Sequence, residues 1–234
     1  MCITKGFHTM ILSKDMARLN LDCKLNDEIV NYYFSLLERH SNRREFPMYF
    51  FQTYFYTKLT STPATKGPPG SGRDGKPLRS KVYGRYMADC NHAAVRRWTK
   101  KVDLFRYRLI LIPVHEGDHW ILVVVRIDQN DDKKKTFRIH IGVYDSLGTH
   151  NAKHVKVIKS YLQLEYYFHH GDYKKWIPRA HIKGDAKVDV PQQSNGFDCG
   201  VHVCASAYNL AHHVRSTSHL KSQQDMNEFR NIWR

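Results

Sequence analysis

A chain of 234 residues with 41% apolar residues can bury one sizeable core, which argues against wholesale disorder. No apolar run approaches the roughly 20 residues that span a bilayer, and Met1 to Leu12 lacks the sustained apolar stretch and small-residue cleavage site of a secretory signal, so an intracellular protein with no membrane contact is expected. The surplus of 37 basic over 22 acidic residues, a net charge of +15, favours acidic partners without choosing between nucleic acid, an anionic membrane and an acidic protein.

The first strong periodicity is Leu25 to His40. Ile29, Val30, Tyr33, Phe34, Leu36 and Leu37 fall at helical spacing, with Asn26 and Asp27 at the capping end. Met48 to Phe51 reads as a short strand, and Gln52 to Leu59 as an aromatic-rich helix. From Ser61 to Lys81 prolines and glycines recur among basic and small residues, so a flexible insertion is expected over about 61–90 within a single domain, 1–234. His92 to Thr99 reads as a short helix. Leu109 to Val114, Trp120 to Ile127 and Phe137 to Tyr144 read as successive strands, the first two separated by a turn around Gly117. Ala152 to Phe168 reads as a helix, and a strand is expected near Lys187 to Val190. Cys199 to Val214 carries an apolar stripe of Val201, Ala205, Tyr208, Ala211 and Val214, and Gln223 to Trp233 reads as a last helix. Helices flanking a central cluster of strands give the class α+β.

Five cysteines, at 2, 23, 90, 199 and 204, form no C-x-x-C pair, which argues against a disulfide framework and a zinc ribbon. One of them opens a helix. Cys199 follows the turn Ser194-Asn195-Gly196-Phe197-Asp198, and a helix N-terminus offers free N–H groups and partial positive charge that favour thiolate. Asp198 opposes that electrostatically unless it caps the helix. His119 precedes one strand and Asp145 directly follows another; antiparallel pairing of those strands would set them side by side on one rim. Thiol, imidazole and carboxylate are the parts of a nucleophile–base–orienter relay. Gln193, six residues upstream of Cys199, can supply an amide N–H to an oxyanion. Taken singly, each has an ordinary reading: a buried small residue, a surface histidine, a turn-forming aspartate. Cys204, one helical turn further, is read as packing.

His115-Glu116-Gly117-Asp118-His119 also fits H-E-x-x-H, a zinc-peptidase pattern that needs both histidines on one helical face. Here the context is strand–turn–strand, so no metal site is assigned, and no cofactor is expected.

At these residues the chain resembles the SUMO-specific (sentrin-specific) cysteine proteases, within the wider superfamily of ubiquitin-like-modifier proteases. The segments that carry the resemblance are Leu25-Asn26-Asp27-Glu28-Ile29, Val95 to Asp103, Ile112-Pro113-Val114-His115, Asp118-His119-Trp120, Tyr144 to Gly148, Pro191 to Gly200 and Gln223-Gln224-Asp225-Met226, in the family's order. The resemblance implies a papain-like architecture with a mixed or antiparallel sheet flanked by helices. It implies a His119–Asp145–Cys199 triad, Gln193 in the oxyanion hole, and hydrolysis after the Gly-Gly tail of a SUMO-type modifier. It further implies that Trp120 lies over the channel for that tail, and that Asp27 pairs with a basic residue of the modifier. Nuclear residence and a monomer are expected, with nucleic acid not a partner.

Three departures stand out. Lys24 occupies the position before Leu-Asn-Asp where the family commonly has a tryptophan, the other channel wall; the insertion after residue 61 is longer than the family's usual connection; and a last helix shorter than the family's is expected, as is the lack of its long N-terminal region. Two other readings remain open at this stage: a protease for another ubiquitin-like modifier, and a modifier-binding module with little or no turnover.

Overall fold

The computed structural model describes residues 10–41, 47–62, 81–129, 137–149, 151–170 and 176–212. A short helix α1 (Ser13–Met16) leads into α2 (Asp27–Ser41). Asn26 caps α2, its side-chain oxygen accepting from the Ile29 N–H at 3.2 Å, while its amide donates to Asp15 at 2.8 Å. Strand β1 (Met48–Phe50) and helix α3 (Tyr54–Leu59) follow, then α4 (Lys81–Asp89) and α5 (His92–Val95). The strands β2 (Leu109–Glu116), β3 (His119–Gln129) and β4 (Phe137–Tyr144) come next, then the long α6 (Ala152–His170), the short β5 (Ile182–Asp185) and α7 (Cys199–His212).

The five strands form one mixed sheet in the order β1-β2-β3-β4-β5. The central pairs are antiparallel and both edge pairs parallel. Alternation along each strand divides the core into two clusters. Ile110, Ile112, Val114, Ile121, Val123, Val125, Ile139, Ile141 and Val143 face one way, onto α3 and α6. Leu109, Leu111, Trp120, Leu122 and Val124 face the other way, onto α2 and α7. Because both faces are covered, β2 reads as an unbroken buried run rather than an alternating one. The class is the α+β expected.

Four expectations need correction. The insertion is not irregular to residue 90: α4 begins at Lys81, four residues after Pro77, with Tyr86 in the core. His92 to Thr99 is helical only to Val95; the Trp98 N–H then bonds the Val95 carbonyl at 2.8 Å and the chain turns away. The strand expected near Lys187 to Val190 lies earlier, at Ile182–Asp185, in parallel register with Ile139 to Gly142. Segment 187–190 keeps one ladder-like bond, Val188 N–H to the Val143 carbonyl at 2.9 Å. Helix α7 is buried nearly all round instead of along one stripe, and Tyr208, expected inward, is exposed against His212. The helix expected at Gln223 to Trp233 and the position of Val214 lie outside the described residues.

Candidate active site

The β2–β3 hairpin aims the first side chain. Glu116 pairs with His119 across the two-residue turn Gly117-Asp118. Gly117 sits at φ +60°, a left-handed position that a glycine occupies without strain, and it makes the tightest hairpin connection possible. The H-E-x-x-H residues therefore lie on paired strands rather than on a helical face. His115 stacks on Trp120 with ring centroids 4.2 Å apart, and its Nδ1 lies 3.8 Å from the Asp27 carboxylate; His119 turns to Asp145. The two imidazoles have different partners. Among the described residues no group of three or more metal-ligating side chains gathers.

Register supplies the second side chain. Leu122 pairs with Tyr144, so His119, three residues before Leu122, and Asp145, one after Tyr144, share a rim and a face. The His119 Nε2 lies 2.7 Å from an Asp145 carboxylate oxygen. Asp145 is buried, and burial alone would push its carboxyl up. Hydrogen bonds from the Thr149 hydroxyl, the Leu147 N–H at 2.9 Å, His119 and the Asn151 amide at 2.8 Å more than offset that, and the pKa falls to about 2. The carboxylate is thus ionised and held at both oxygens.

The third side chain comes from the opposite face. Trp120, next to His119, points to the other side of β3, where α7 packs. Cys199 is the first residue of α7 and is only 1% exposed. Gly200 lets the helix end approach: a Cβ there would lie 2.9 Å from Leu25 Cβ, closer than carbon atoms pack. Burial pushes the Cys199 thiol up, but a hydrogen bond with His119 and backbone N–H bonds from Trp120 and Gly200 outweigh it, and its pKa falls below the usual thiol range. The hydrogen bond with Cys199 raises the His119 pKa; burial opposes this and Asp145 adds to it. Since Nε2 serves Asp145, the other ring nitrogen is the one left for sulfur. The set favours a thiolate–imidazolium pair held by a buried carboxylate. Asp198 does not oppose this freely: it takes the Asn195 amide at 2.7 Å, while Asn195 Oδ1 accepts the N–H groups of Phe197 and Asp198.

Gln193 lies on the neighbouring segment. Its Oε1 accepts the Ser146 hydroxyl at 2.6 Å, its Nε2 donates to the Asn195 carbonyl at 2.5 Å, and its N–H donates to the Ser146 carbonyl at 2.9 Å. Trp120 is not an open lid. Its ring is buried and its indole N–H donates to the Leu25 carbonyl at 3.0 Å. Lys24, one residue earlier, reaches Asp118 in the hairpin turn, Nζ lying 2.8 Å from the carboxylate and 3.2 Å from the carbonyl oxygen. Asp27 stands beside His115 and a cavity of about 600 Å³ lined by Met10, Leu12, Arg18 and Tyr54 among others.

Sequence reading missed the residues that hold the named ones: Thr149 and Asn151 on Asp145, Ser146 on Gln193, Asp118 on Lys24 and His115 on Trp120. A run of small polar residues directly after the Asp145 strand was the one local signal available.

Residues 24–234 match the model of the Ulp1 protease family, C-terminal catalytic domain. The chain is 33% identical over 204 residues to a sentrin-specific protease of Caenorhabditis elegans, a match covering 85% of this chain and 23% of that protein. It is 34% identical over 203 residues to ubiquitin-like-specific protease 1D of Arabidopsis thaliana, covering 81% and 31%. It therefore spans less than a third of these relatives' length. Among solved structures, a de-sumoylating protease superposes with a TM-score of 0.67 at 22% identity, covering 95% of this chain and 78% of that one. The SUMO protease Ulp1, its catalytic cysteine oxidised to a sulfinic acid, superposes at 0.63 and 19% identity, covering 97% and 83%. By its family match and its relatives, and with the fold in agreement, this chain belongs to the Ulp1 protease family.

Proposed function

We propose that the chain is a cysteine peptidase that hydrolyses the bond after the C-terminal Gly-Gly of a SUMO-type modifier, in precursors or on target lysines. The observation that carries the reading is the contact of Cys199, His119 and Asp145 across two faces of one sheet rim, with the thiol pKa lowered and the imidazole pKa raised. Cys199 attacks the glycine carbonyl as thiolate. The oxyanion takes the Cys199 N–H and the Gln193 amide. His119 protonates the leaving amine, then draws a proton from the water that cleaves the thioester, while Asp145 keeps the imidazole aligned. Trp120, clamped to Leu25, serves as a fixed wall beside the tail; Lys24 borders the same path; Asp27 receives a basic residue of the modifier. The names of the relatives, sentrin-specific and ubiquitin-like-specific proteases, support the substrate class. The positive surface is assigned to acidic protein partners rather than nucleic acid, and the chain to the nucleus, acting as a monomer. No helix among the described residues is long and apolar enough to cross a membrane.

The test is release of a fluorophore from the C-terminus of SUMO, with ubiquitin as comparator, by wild type and Cys199→Ala. Release from SUMO that disappears in Cys199→Ala is expected. Release that survives the substitution would remove Cys199 from its role. Folded wild-type protein that binds SUMO without releasing the fluorophore would make the chain a modifier-binding module.

A further inference from the structure

The turn that carries the acid and the segment that carries the oxyanion donor are tied together. The Gln193 N–H donates to the Ser146 carbonyl at 2.9 Å, the Ser146 hydroxyl donates to Gln193 Oε1 at 2.6 Å, and the Gln192 amide reaches the Asp145 carbonyl at 3.3 Å. Ser146 itself is buried, and its neighbour Asp145 is fixed by Leu147, Thr149 and Asn151. The turn from Asp145 to Thr149, with Asn151, is therefore a rigid platform, and residue 193 hangs from it at both backbone and side chain.

The two ends of a carboxamide have nearly the same shape and opposite hydrogen bonding: Oε1 only accepts, Nε2 only donates, through two hydrogens. The Asn195 carbonyl, which can only accept, takes one Nε2 hydrogen at 2.5 Å and so sets which end faces which way. The Ser146 hydroxyl, which could donate or accept, then donates to Oε1 at 2.6 Å and fixes the amide at its other end. The second Nε2 hydrogen is left to the reaction. Without the hydroxyl, Oε1 loses its partner and the amide is held only through its Nε2 bond to the Asn195 carbonyl, so its placement loosens.

We propose that Ser146 is a positioning residue for the oxyanion: it orients the Gln193 amide and ties its placement to the turn that holds Asp145. This rests on the peptidase reading above. It assigns Ser146 no contact with substrate and no effect on the thiol.

The experiment compares wild type, Ser146→Ala, Gln193→Ala and the double variant on SUMO bearing a C-terminal fluorophore, together with the pH profile of Cys199 alkylation by iodoacetamide. Ser146→Ala is expected to lower kcat about threefold to tenfold, the scale of one orienting hydrogen bond, with KM unchanged. In the Gln193→Ala background the same change should cost nothing further. The alkylation profile should match wild type, which also reports that the site is folded. Ser146→Thr, which keeps the hydroxyl, should recover part of kcat. The inference is overturned by a wild-type kcat in Ser146→Ala, by full additivity with Gln193→Ala, or by a shifted alkylation profile, which would place the effect on Asp145 and His119. If wild type shows no Cys199-dependent release, the peptidase reading fails and takes this inference with it. If wild type turns over and Ser146→Ala matches it, only this inference fails.

Discussion

Toward opposite ends of α6 the molecule holds two imidazole–carboxylate pairs of nearly equal length. His119 and Asp145 meet at 2.7 Å beside the helix's first turn; His92 and Glu165 meet at 2.8 Å, thirteen residues or about 20 Å further along it. The second pair is the better enclosed, its side chains only 1% and 3% exposed. The His92 ring stacks on Phe168 at 4.9 Å, and His169 approaches the same carboxylate at 3.5 Å. Yet among the described residues no thiol is bonded to the His92 ring: of His92 the Cys90 thiol bonds only the backbone, and burial pushes that thiol up to about 12. At the rim, Cys199 brings a thiol to the imidazole, and the start of α7 together with the Trp120 and Gly200 N–H groups stabilises its anion. A short imidazole–carboxylate hydrogen bond, under 3 Å, thus occurs twice among the described residues. What distinguishes the copy proposed to be catalytic is the third group brought over from the other face of the sheet.

The comparison is broken most severely at Asp145. Asp145→Asn removes the charge that favours imidazolium and leaves the shape. We expect kcat to fall about 10²- to 10⁴-fold, the range of an oriented acid–base group. The wild-type kcat/KM profile should be bell-shaped. Its acid limb follows Cys199, whose pKa is lowered, and its alkaline limb follows His119, whose pKa is raised. In the variant the alkaline limb should move to lower pH, because Asp145 helps to raise the His119 pKa. Stability carries a second signature. The Asp145 pKa drops from an ordinary 3.8 to about 2, so its contribution, about 2 kcal/mol, is present above pH 4 and lost as pH falls toward 2. Urea unfolding across pH 2 to 7 should show that slope in wild type and not in Asp145→Asn. An unchanged alkaline limb would remove Asp145 from the relay.

The counterpart change at the other pair should spare chemistry and cost stability. Glu165→Ala leaves a buried imidazole without its acceptor, at about 3 kcal/mol in urea unfolding. The kcat of the folded variant should match wild type. Glu165→Gln, which retains a hydrogen-bonding oxygen, should cost less. A fall in kcat without loss of stability would overturn the division of roles.

The central strands were legible in the sequence because each is a long apolar run bounded by clear turns, and His119 and Asp145 could be placed together since antiparallel pairing of β3 with β4 leaves little choice of rim. Cys199 was legible from its helix start. The supports were not. Thr149 and Asn151 read as ordinary loop residues until the turn folds them back onto Asp145, and the Ser146–Gln193 bond joins residues 47 apart. Short elements failed for a related reason. β5 is a strand because Ile182 to Asp185 finds the free edge of β4, although Lys183 and Gly184 lack strand character. α4 was hidden behind the prolines and glycines that precede it. The tryptophan expected at position 24 drew attention to what Lys24 lacks, and not to Asp118, 94 residues away, which it meets.

That pair yields the smallest expected effect and the sharpest distinction. Lys24 and Asp118 are 36% and 92% exposed, so their attraction is weak and screened by salt. Lys24 lowers the Asp118 pKa through its hydrogen bond, so the clasp is charged at neutral pH. It fastens the segment before α2 to the hairpin tip, one residue from Leu25 on one side and one from His119 on the other. If Lys24 acts by holding that tip, Lys24→Met and Asp118→Asn should lower kcat/KM equally, by no more than about fivefold, without additivity, and the difference from wild type should vanish at high salt. If its stem borders the substrate tail directly, Lys24→Met changes KM while Asp118→Asn does not, and the effect persists at high salt. Lys24→Trp separates the two further, because it abolishes the clasp while adding apolar surface beside Trp120. A gain in kcat/KM would assign position 24 to the tail, and a loss matching Asp118→Asn would assign it to the hairpin.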